Sequence, residues 1–390
     1  MKKILCFCLL FLAADLFAVQ KISLADCEKA ALKNSNALKA AAADFLSAQK
    51  AAQSFKTSLY PSLMLEANLR YIAEIPEFNG IKMGDNLNYS AGFALYWTLF
   101  DFAARSRNYE SLSETANSQY ALLQARRESI LLDIRNAYFS LIGALLTLDL
   151  TQAQLELSLK QNSDIKSAFQ YGAKSRLDAV LSDADVLRKQ KQLKQIQIAV
   201  IESAARLNEL TGGIIEGDLS EIPLKNKSSE IVELESTESL LKRYNSFLDL
   251  SFDEDSPQIK SLDFLSKTYF LLSQAQISSS YPQIAMSAKT SFDYPNGAAL
   301  ETIHQNAASL SLNAPIYQFS KSANAAAQNL AKSKSYEEQK EGMKIHLKTL
   351  FEASKIKARL LLSQKPINRD ITAQIKTAAE LMYKSYLSGN

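Results

Sequence analysis

The sequence predicts a mainly α fold with a small β part, in which long antiparallel coiled-coil helices alternate with short strands. Three observations predict it. Only 11 glycines and 8 prolines punctuate 390 residues, so the elements are few and long. Two segments carry apolar residues at alternating spacings of three and four, the seam of a coiled coil. Other segments of about ten residues alternate apolar and polar positions with a period of two, the pattern of a strand with one apolar face.

Taken in order, residues 1–18 read as a secretory signal peptide. Lys2 and Lys3 precede an apolar core, Ile4 to Ala14, that is too short to span a bilayer, and Leu16-Phe17-Ala18 offers a cleavage site. Cys6 and Cys8 leave with it, so Cys27 stands alone. A mature chain with one cysteine has no internal disulfide and depends on packing or assembly. The formal net charge of +3 falls to +2 when two lysines and one aspartate are removed, which points to neither nucleic acid nor an acidic substrate.

An alanine- and glutamine-rich helix is predicted from Asp26 to Thr57. From Ser62 to Tyr71 the odd positions Leu63, Leu65, Ala67, Leu69 and Tyr71 are apolar or aromatic, whereas Ser62, Glu66, Asn68 and Arg70 are polar. Asn88 to Trp97 repeats the split, with Tyr89, Ala91, Phe93, Leu95 and Trp97 on one face. Between about Asp101 and Tyr171 there is no proline and a single glycine, Gly143, and Ile130, Ile134, Ala137, Leu141, Leu145 and Leu148 mark a helix seam. Such a helix of roughly 70 residues would be about 105 Å long. After Gly172 a second run, Leu177, Val180, Ala184, Leu187, Ile198, Ile201 and Ala205, ends at Thr211-Gly212-Gly213, a glycine stop. A long helical hairpin over 101–211 results, followed by a linker over 212–255.

The chain is also written twice. Asn36 to Ser62 lines up without a gap on Pro257 to Gln283, placing Tyr60-Pro61 over Tyr281-Pro282, and Phe93 to Phe102 falls over Leu310 to Phe319. The first repeat is 19–211, with its β-hairpin at 62–97. The second is 256–390, with a β-hairpin at 283–314 whose first strand sets Ile284, Met286, Ala288, Thr290, Phe292 and Tyr294 against Gln283, Ser287, Lys289, Ser291 and Asp293. Its second strand is weaker and runs through Leu310 and Leu312. Phe169 and Gly172 then fall over Tyr386 and Gly389, leaving Lys174 to Thr211 without a counterpart.

Enzymatic readings find little support. His304, placed in the turn of the second hairpin, and His346, on a helix, have no cysteine or carboxylate at metal-ligand spacing. Asp183 and Asp185 sit two residues apart on a helix and are expected on different faces. Gly212-Gly213 follows a helix where a phosphate loop would precede one. The basic run from Arg188 to Lys194 reads as a solvated helix face. No catalytic residue, metal or cofactor is expected.

Strands of about ten residues, greasy on one face and wet on the other, with Tyr and Trp near their ends, suit an outer-membrane barrel; an ordinary half-buried antiparallel sheet is the alternative. Four strands cannot close a barrel of about eight or more, so several chains would have to share one. On this reading Leu63, Leu65, Leu69, Phe93, Leu95, Trp97, Ile284 and Phe292 face lipid, and Glu66, Asn68, Arg70, Lys289 and Asp293 line a lumen.

The landmarks SLADCEKAALKNSNALKA, Tyr60-Pro61 with Tyr281-Pro282, WTLFDF with APIYQF, the FQYGAKSRLDAVLSDADVL turn and the ARLNELTGG helix end resemble the TolC-like outer membrane efflux protein family across nearly all of the mature region. The resemblance implies a homotrimer with a shared twelve-stranded outer-membrane β-barrel continuing into a periplasmic tunnel of helices. It implies an adaptor protein and an inner-membrane transporter as partners, outer-membrane lipid around the barrel, and passive export, with no nucleic acid. Matched position by position, Phe169, Gly172, Ser175, Leu177, Asp178 and Val180 form the adaptor-contacting tip. In the family a returning helix follows the second turn, and the acidic residues that narrow the tunnel lie on it, so none is carried over. About 38 residues are absent by comparison with the first repeat, the length of 174–211. A truncated or frameshifted gene, a divergent member with three helices, or an incomplete sequence would each account for this. The missing helix is expected to bare Leu112, Leu122 and Leu141. A periplasmic coiled-coil structural protein, or a non-functional truncated member, are the other readings.

Overall fold

The computed structural model describes residues 20–216, 218–244 and 248–387. The expected signal peptide and Gly389 lie outside them. In chain order the elements are β1 (Lys21–Ile22), α1 (Leu24–Asn34), α2 (Asn36–Lys56), β2 (Ser62–Tyr71), β3 (Glu77–Phe78), β4 (Ile81–Lys82), β5 (Leu87–Phe100), α3 (Ala104–Gln170), α4 (Arg176–Thr211), β6 (Glu233–Leu234), α5 (Thr237–Tyr244), α6 (Pro257–Ser278), β7 (Gln283–Tyr294), β8 (Ile303–Asn313) and α7 (Lys321–Leu387). The mainly α fold with four long strands is as the sequence predicts. The single helix expected over Asp26 to Thr57 is two, because Ser35 leaves the helical region at ψ 112° and its hydroxyl accepts from the Leu38 amide at 3.2 Å, capping α2.

The chain forms two compact units that do not follow the repeats: residues 20–38 with 126–249, and 39–125 with 250–387. The first has an apolar core. Ile22, Leu24, Cys27 and Ala31 pack with Ile130, Ile134, Tyr138, Leu141 and Leu148 of α3 and with Val200, Ala204 and Leu207 of α4. The expected α3 seam is thus buried, and Leu141, expected to be bared, is fully covered by the helices present. Tyr138 lies wholly inside; its hydroxyl donates to Ile22 O at 2.9 Å and accepts from the Glu235 amide at 3.0 Å. This bridges the short β1–β6 pair, and burial pushes the phenol up to about 12.

On α4 the expected seam is one residue out of phase. Val186, Leu193, Val200, Ala204 and Leu207 are buried, whereas Leu177, Val180, Leu187 and Ile198 are exposed, Ala184 and Ala205 are exposed, and only Ile201 is partly covered. One residue turns a helix by about 100°, so α4 carries two adjacent apolar stripes, and periodicity cannot say which faces inward.

The second unit packs differently. Small hydroxyl side chains let α6 approach both α3 and α7 closely: Ser118 Oγ donates to Ser261 O at 3.0 Å, Ser273 Oγ to Ala326 O at 2.9 Å and Ser333 Oγ to Ser266 O at 2.9 Å. The turns from strand into long helix also match across the chain. Phe102 and Ala103 have φ of 51° and 62°, and Phe319 and Ser320 have 46° and 62°; left-handed backbone is costly without glycine, so its recurrence at equivalent positions reflects one turn used twice.

Candidate membrane-facing sheet and helical tip

Four strands form one antiparallel sheet in the order β2-β5-β7-β8. Its register places residues of one parity together. Leu65 lies opposite Phe93, Phe93 opposite Thr290, and Thr290 opposite Asn306. Opposed residues of an antiparallel pair share a face, so Leu63, Leu65, Leu69, Phe93, Leu95, Trp97, Ile284 and Phe292 all fall on one side. Glu66, Asn68, Arg70, Lys289 and Asp293 all fall on the other, as predicted from alternation.

The two faces differ in exposure. Leu63, Leu65 and Leu69 are each about 70 % open, whereas Ala94 and Ser291, in the centre of the polar face, are 1 % and 3 % exposed. The sheet is therefore concave on its polar side. Gly92 sits at the bend: a Cβ there would lie 2.1 Å from Thr290 O and 2.5 Å from Ser291 Cα, so only glycine fits. On the concave face Tyr96 donates to Glu66 Oε1 at 2.6 Å, Lys289 Nζ is 3.7 Å from Glu66 Oε2, and the Ser287 and Ser309 hydroxyls are 2.7 Å apart.

Aromatic rings collect at both ends of the convex face. Tyr89 and Tyr294 stack at 4.9 Å at one end, and Phe102 lies against Phe100 and Tyr281 at the other. His304, expected in a turn, belongs to β8: its Nε2 is 2.8 Å from Thr290 Oγ1 and its ring lies 4.9 Å from Phe292. The polar start of β8, His304-Gln305-Asn306, hid the strand from the period-two pattern.

Arg105 fastens the sheet to α3. It donates through Nε to Asp101 Oδ2 at 2.7 Å, and through its two terminal nitrogens to Ser58 O and Thr98 O at 2.6 Å each.

The α3–α4 hairpin turns at Gly172, whose φ is 75°. Ser175 begins α4 with a capping box: its hydroxyl accepts from the Asp178 amide at 3.2 Å and the Asp178 carboxylate accepts from the Ser175 amide at 3.0 Å. The Ser175 hydroxyl also donates to Asp178 Oδ2 at 2.8 Å, and the amide and hydroxyl of Ser175 together hold the Asp178 carboxyl below its ordinary value. Phe169, Leu177 and Val180 are exposed here, and Tyr171 is 89 % open. Asp183 and Asp185, expected on different faces, both reach one stripe of α3, whose Ser158 and Asn162 stand four residues apart: Asn162 donates to Asp183 Oδ1 at 2.9 Å and Ser158 to Asp185 Oδ2 at 2.8 Å. Lys166, with Asn162, lowers the Asp183 pKa. Among the described residues no cluster of His, Cys, Asp and Glu could hold a metal ion.

Residues 29–213 match the profile of the family described as Outer membrane efflux protein. The chain is 27 % identical over 185 residues to the outer membrane protein TolC of Salmonella enteritidis; the match takes in 44 % of this chain and 37 % of that one. Its fold is similar to that of a membrane protein from Pseudomonas aeruginosa, with TM-score 0.76, 17 % identity, and 94 % and 84 % of the two chains covered. It is similar also to the outer membrane protein VceC of Vibrio cholerae, with TM-score 0.71, 17 % identity, and 94 % and 86 % covered. Residues 29–213 thus resemble the outer membrane efflux proteins in sequence, and the described chain resembles such channels in fold.

The sequence match falls on the first repeat, whereas the likeness of fold takes in nearly the whole chain. Sequence reasoning missed Tyr96, Gly92 and the Arg105–Asp101 junction. Gly92 stands alone within an alternating strand, a signal for a bend. Arg105 lies four residues beyond Asp101, the spacing of a helical ion pair.

Proposed function

We propose that the chain is the outer-membrane channel protomer of a tripartite efflux or type I secretion system. Three copies each lend four strands to one twelve-stranded barrel, and their long helices continue it as a passive periplasmic duct. The concave sheet carries the reading. Its convex face is apolar and open, its concave face is polar, and β2 and β8 each pair on one side only. In lipid those free edges would leave backbone donors and acceptors without partners, which only closure by further strands can satisfy.

Lipid then meets Leu63, Leu65, Leu69, Phe93, Leu95, Trp97, Ile284 and Phe292. Water fills a lumen lined by Glu66, Asn68, Arg70, Lys289 and Asp293. Strands of 10 to 14 residues, tilted in a membrane, span the apolar band of about 25 Å. Exposed Phe169, Leu177 and Val180, set out by the turn at Gly172 and the cap formed by Ser175 and Asp178, provide the docking tip for an adaptor that links the duct to an inner-membrane transporter. Energy for export comes from those partners.

Single cysteines test the barrel. At positions 66, 68 and 70 they react with a membrane-impermeant maleimide through the pore; at 63, 65 and 69 they stay unlabelled in the intact membrane. The reverse pattern, or recovery of the chain as a soluble protein without detergent, refutes the proposal.

A further inference from the structure

We infer that Glu66 is a positioning residue of the lumen: its carboxylate holds Tyr96 and Lys289 flat against the polar wall and so sets the charge that a solute meets at that height. This rests on the shared-barrel reading, which puts all three residues on the lumen side, and adds which of them governs selectivity.

The register fixes where the three stand. On the polar face Glu66, Gly92, Ser291 and Gln305 form one row across the sheet. Met64, Ala94, Lys289 and Ala307 form the next, and Ser62, Tyr96, Ser287 and Ser309 the one after. Glu66 and Lys289 are therefore two strands and one row apart, about 12 Å between Cα atoms on a flat sheet with a rise of about 3.3 Å and a spacing of about 4.8 Å. Tyr96 is one strand and two rows from Glu66, about 14 Å on the same measure. Yet the Tyr96 hydroxyl donates to Glu66 Oε1 at 2.6 Å, and Lys289 Nζ lies 3.7 Å from Glu66 Oε2. Strand side chains ordinarily stand up from the sheet. Contacts this close across such spans require these three to lie along it.

The residues beneath them agree. Both spans cross β5 at Gly92 and Ala94, so no bulk props the side chains off the wall. Ala94 is 1 % exposed, whereas Ala307, in the same row and on the same face, is exposed, as is Ala91 on the opposite face of the same strand. A cover formed where Tyr96, Glu66 and Lys289 meet accounts for the difference.

The two bonds are unequal. A hydroxyl 2.6 Å from a carboxylate oxygen makes a charge-assisted hydrogen bond, one of the strong kinds. The ion pair joins side chains about two-fifths exposed and is weak by itself. Tyr96 therefore fixes the carboxylate, and the fixed carboxylate holds the ammonium. Paired in this way, Glu66 and Lys289 leave their level of the lumen locally neutral. Without Glu66, one lysine from each protomer would project into the bore, and a ring of cations favours anions.

Reactivity at position 94 tests the cover in the full chain assembled in outer membranes, where Cys27 is buried. Asn68 is an exposed residue of the same face and serves as the reference. Ala94→Cys is expected to react with a membrane-impermeant maleimide at roughly a tenth of the rate of Asn68→Cys, because it is reached only when the cover opens. Adding Glu66→Gln, or the charge-neutral Tyr96→Phe, should raise the Ala94→Cys rate to that of Asn68→Cys. In planar bilayers Glu66→Gln should also move the reversal potential of the purified trimer toward anion selectivity. Equal rates at 94 and 68 in the parent background, or a rate at 94 that neither substitution raises, overturns the cover. An unmoved reversal potential overturns the part of Glu66 in selectivity. Labelling at Leu65→Cys with none at Asn68→Cys overturns the lumen reading itself.

Discussion

Replacing Arg105 with alanine removes three donated hydrogen bonds from one junction, those to Asp101 Oδ2, Ser58 O and Thr98 O. Asp101 is only 8 % exposed, and its carboxylate would keep the Arg105 amide at 3.1 Å and lose its cation. Breaking a buried ion pair from one side costs about 3–5 kcal/mol; with Arg105 about one-fifth exposed, about 2–3 kcal/mol is the fitting estimate. The second repeat supplies the control. Gln318 and Ser322 stand at the equivalent positions, and the Ser322 hydroxyl donates to Gln318 Oε1 at 2.8 Å, so the same turn is held there without charge. The double change Asp101→Gln with Arg105→Ser is therefore expected to regain about half of the loss, because no buried anion is left unpaired. Chemical unfolding followed by circular dichroism in detergent measures both variants. An Arg105→Ala protein as stable as the parent, or a double variant weaker than the single one, would refute the reasoning.

Other outcomes follow from the same geometry. Tyr138→Phe leaves Ile22 O and the Glu235 amide without their shared partner, at a cost of about 2–4 kcal/mol, and faster amide exchange at residue 235 is the readout. Gly92→Ala should abolish barrel assembly, because its Cβ would overlap Thr290 O, whereas Gly143→Ala, with nothing within 4 Å, should stabilise α3 by about 0.5–1 kcal/mol; heat-dissociation gels distinguish them. The lowered pKa of Asp178 means that its contribution is complete above the ordinary carboxylate range and is lost as pH falls through the depressed value. Amide exchange in the first turn of α4 should accordingly rise only in strong acid, and Ser175→Ala should move that rise to higher pH. On the proposed barrel each protomer would give the lumen two charges of each sign, from Glu66, Arg70, Lys289 and Asp293, so reversal potentials should show weak ion selectivity, and Lys289→Glu should turn it toward cations.

Most of this fold could be read from the chain because period-two strands and a coiled-coil seam are different signals. The seam from Ile130 to Leu148 and the two faces of β2 needed nothing beyond spacing. The α4 seam misled because Leu187 and Val186 are adjacent apolar residues and only packing selects one of them. β8 was half visible because its first residues are polar on both faces. The junction at Arg105 could not be read at all, since two of its three acceptors are backbone carbonyls, which no side-chain pattern reports.

The bend at Gly92 has a consequence for biogenesis. A protomer whose strands already curl toward their polar side carries the curvature of the finished wall before it meets a second copy. Subunits of that kind need only find their neighbours; they have little left to refold. What they cannot do is wait, because an unpaired strand edge recruits any other exposed strand it encounters. On the shared-barrel reading proposed above, the hazard of assembly would lie in timing, in how long each curved sheet stays single before closure.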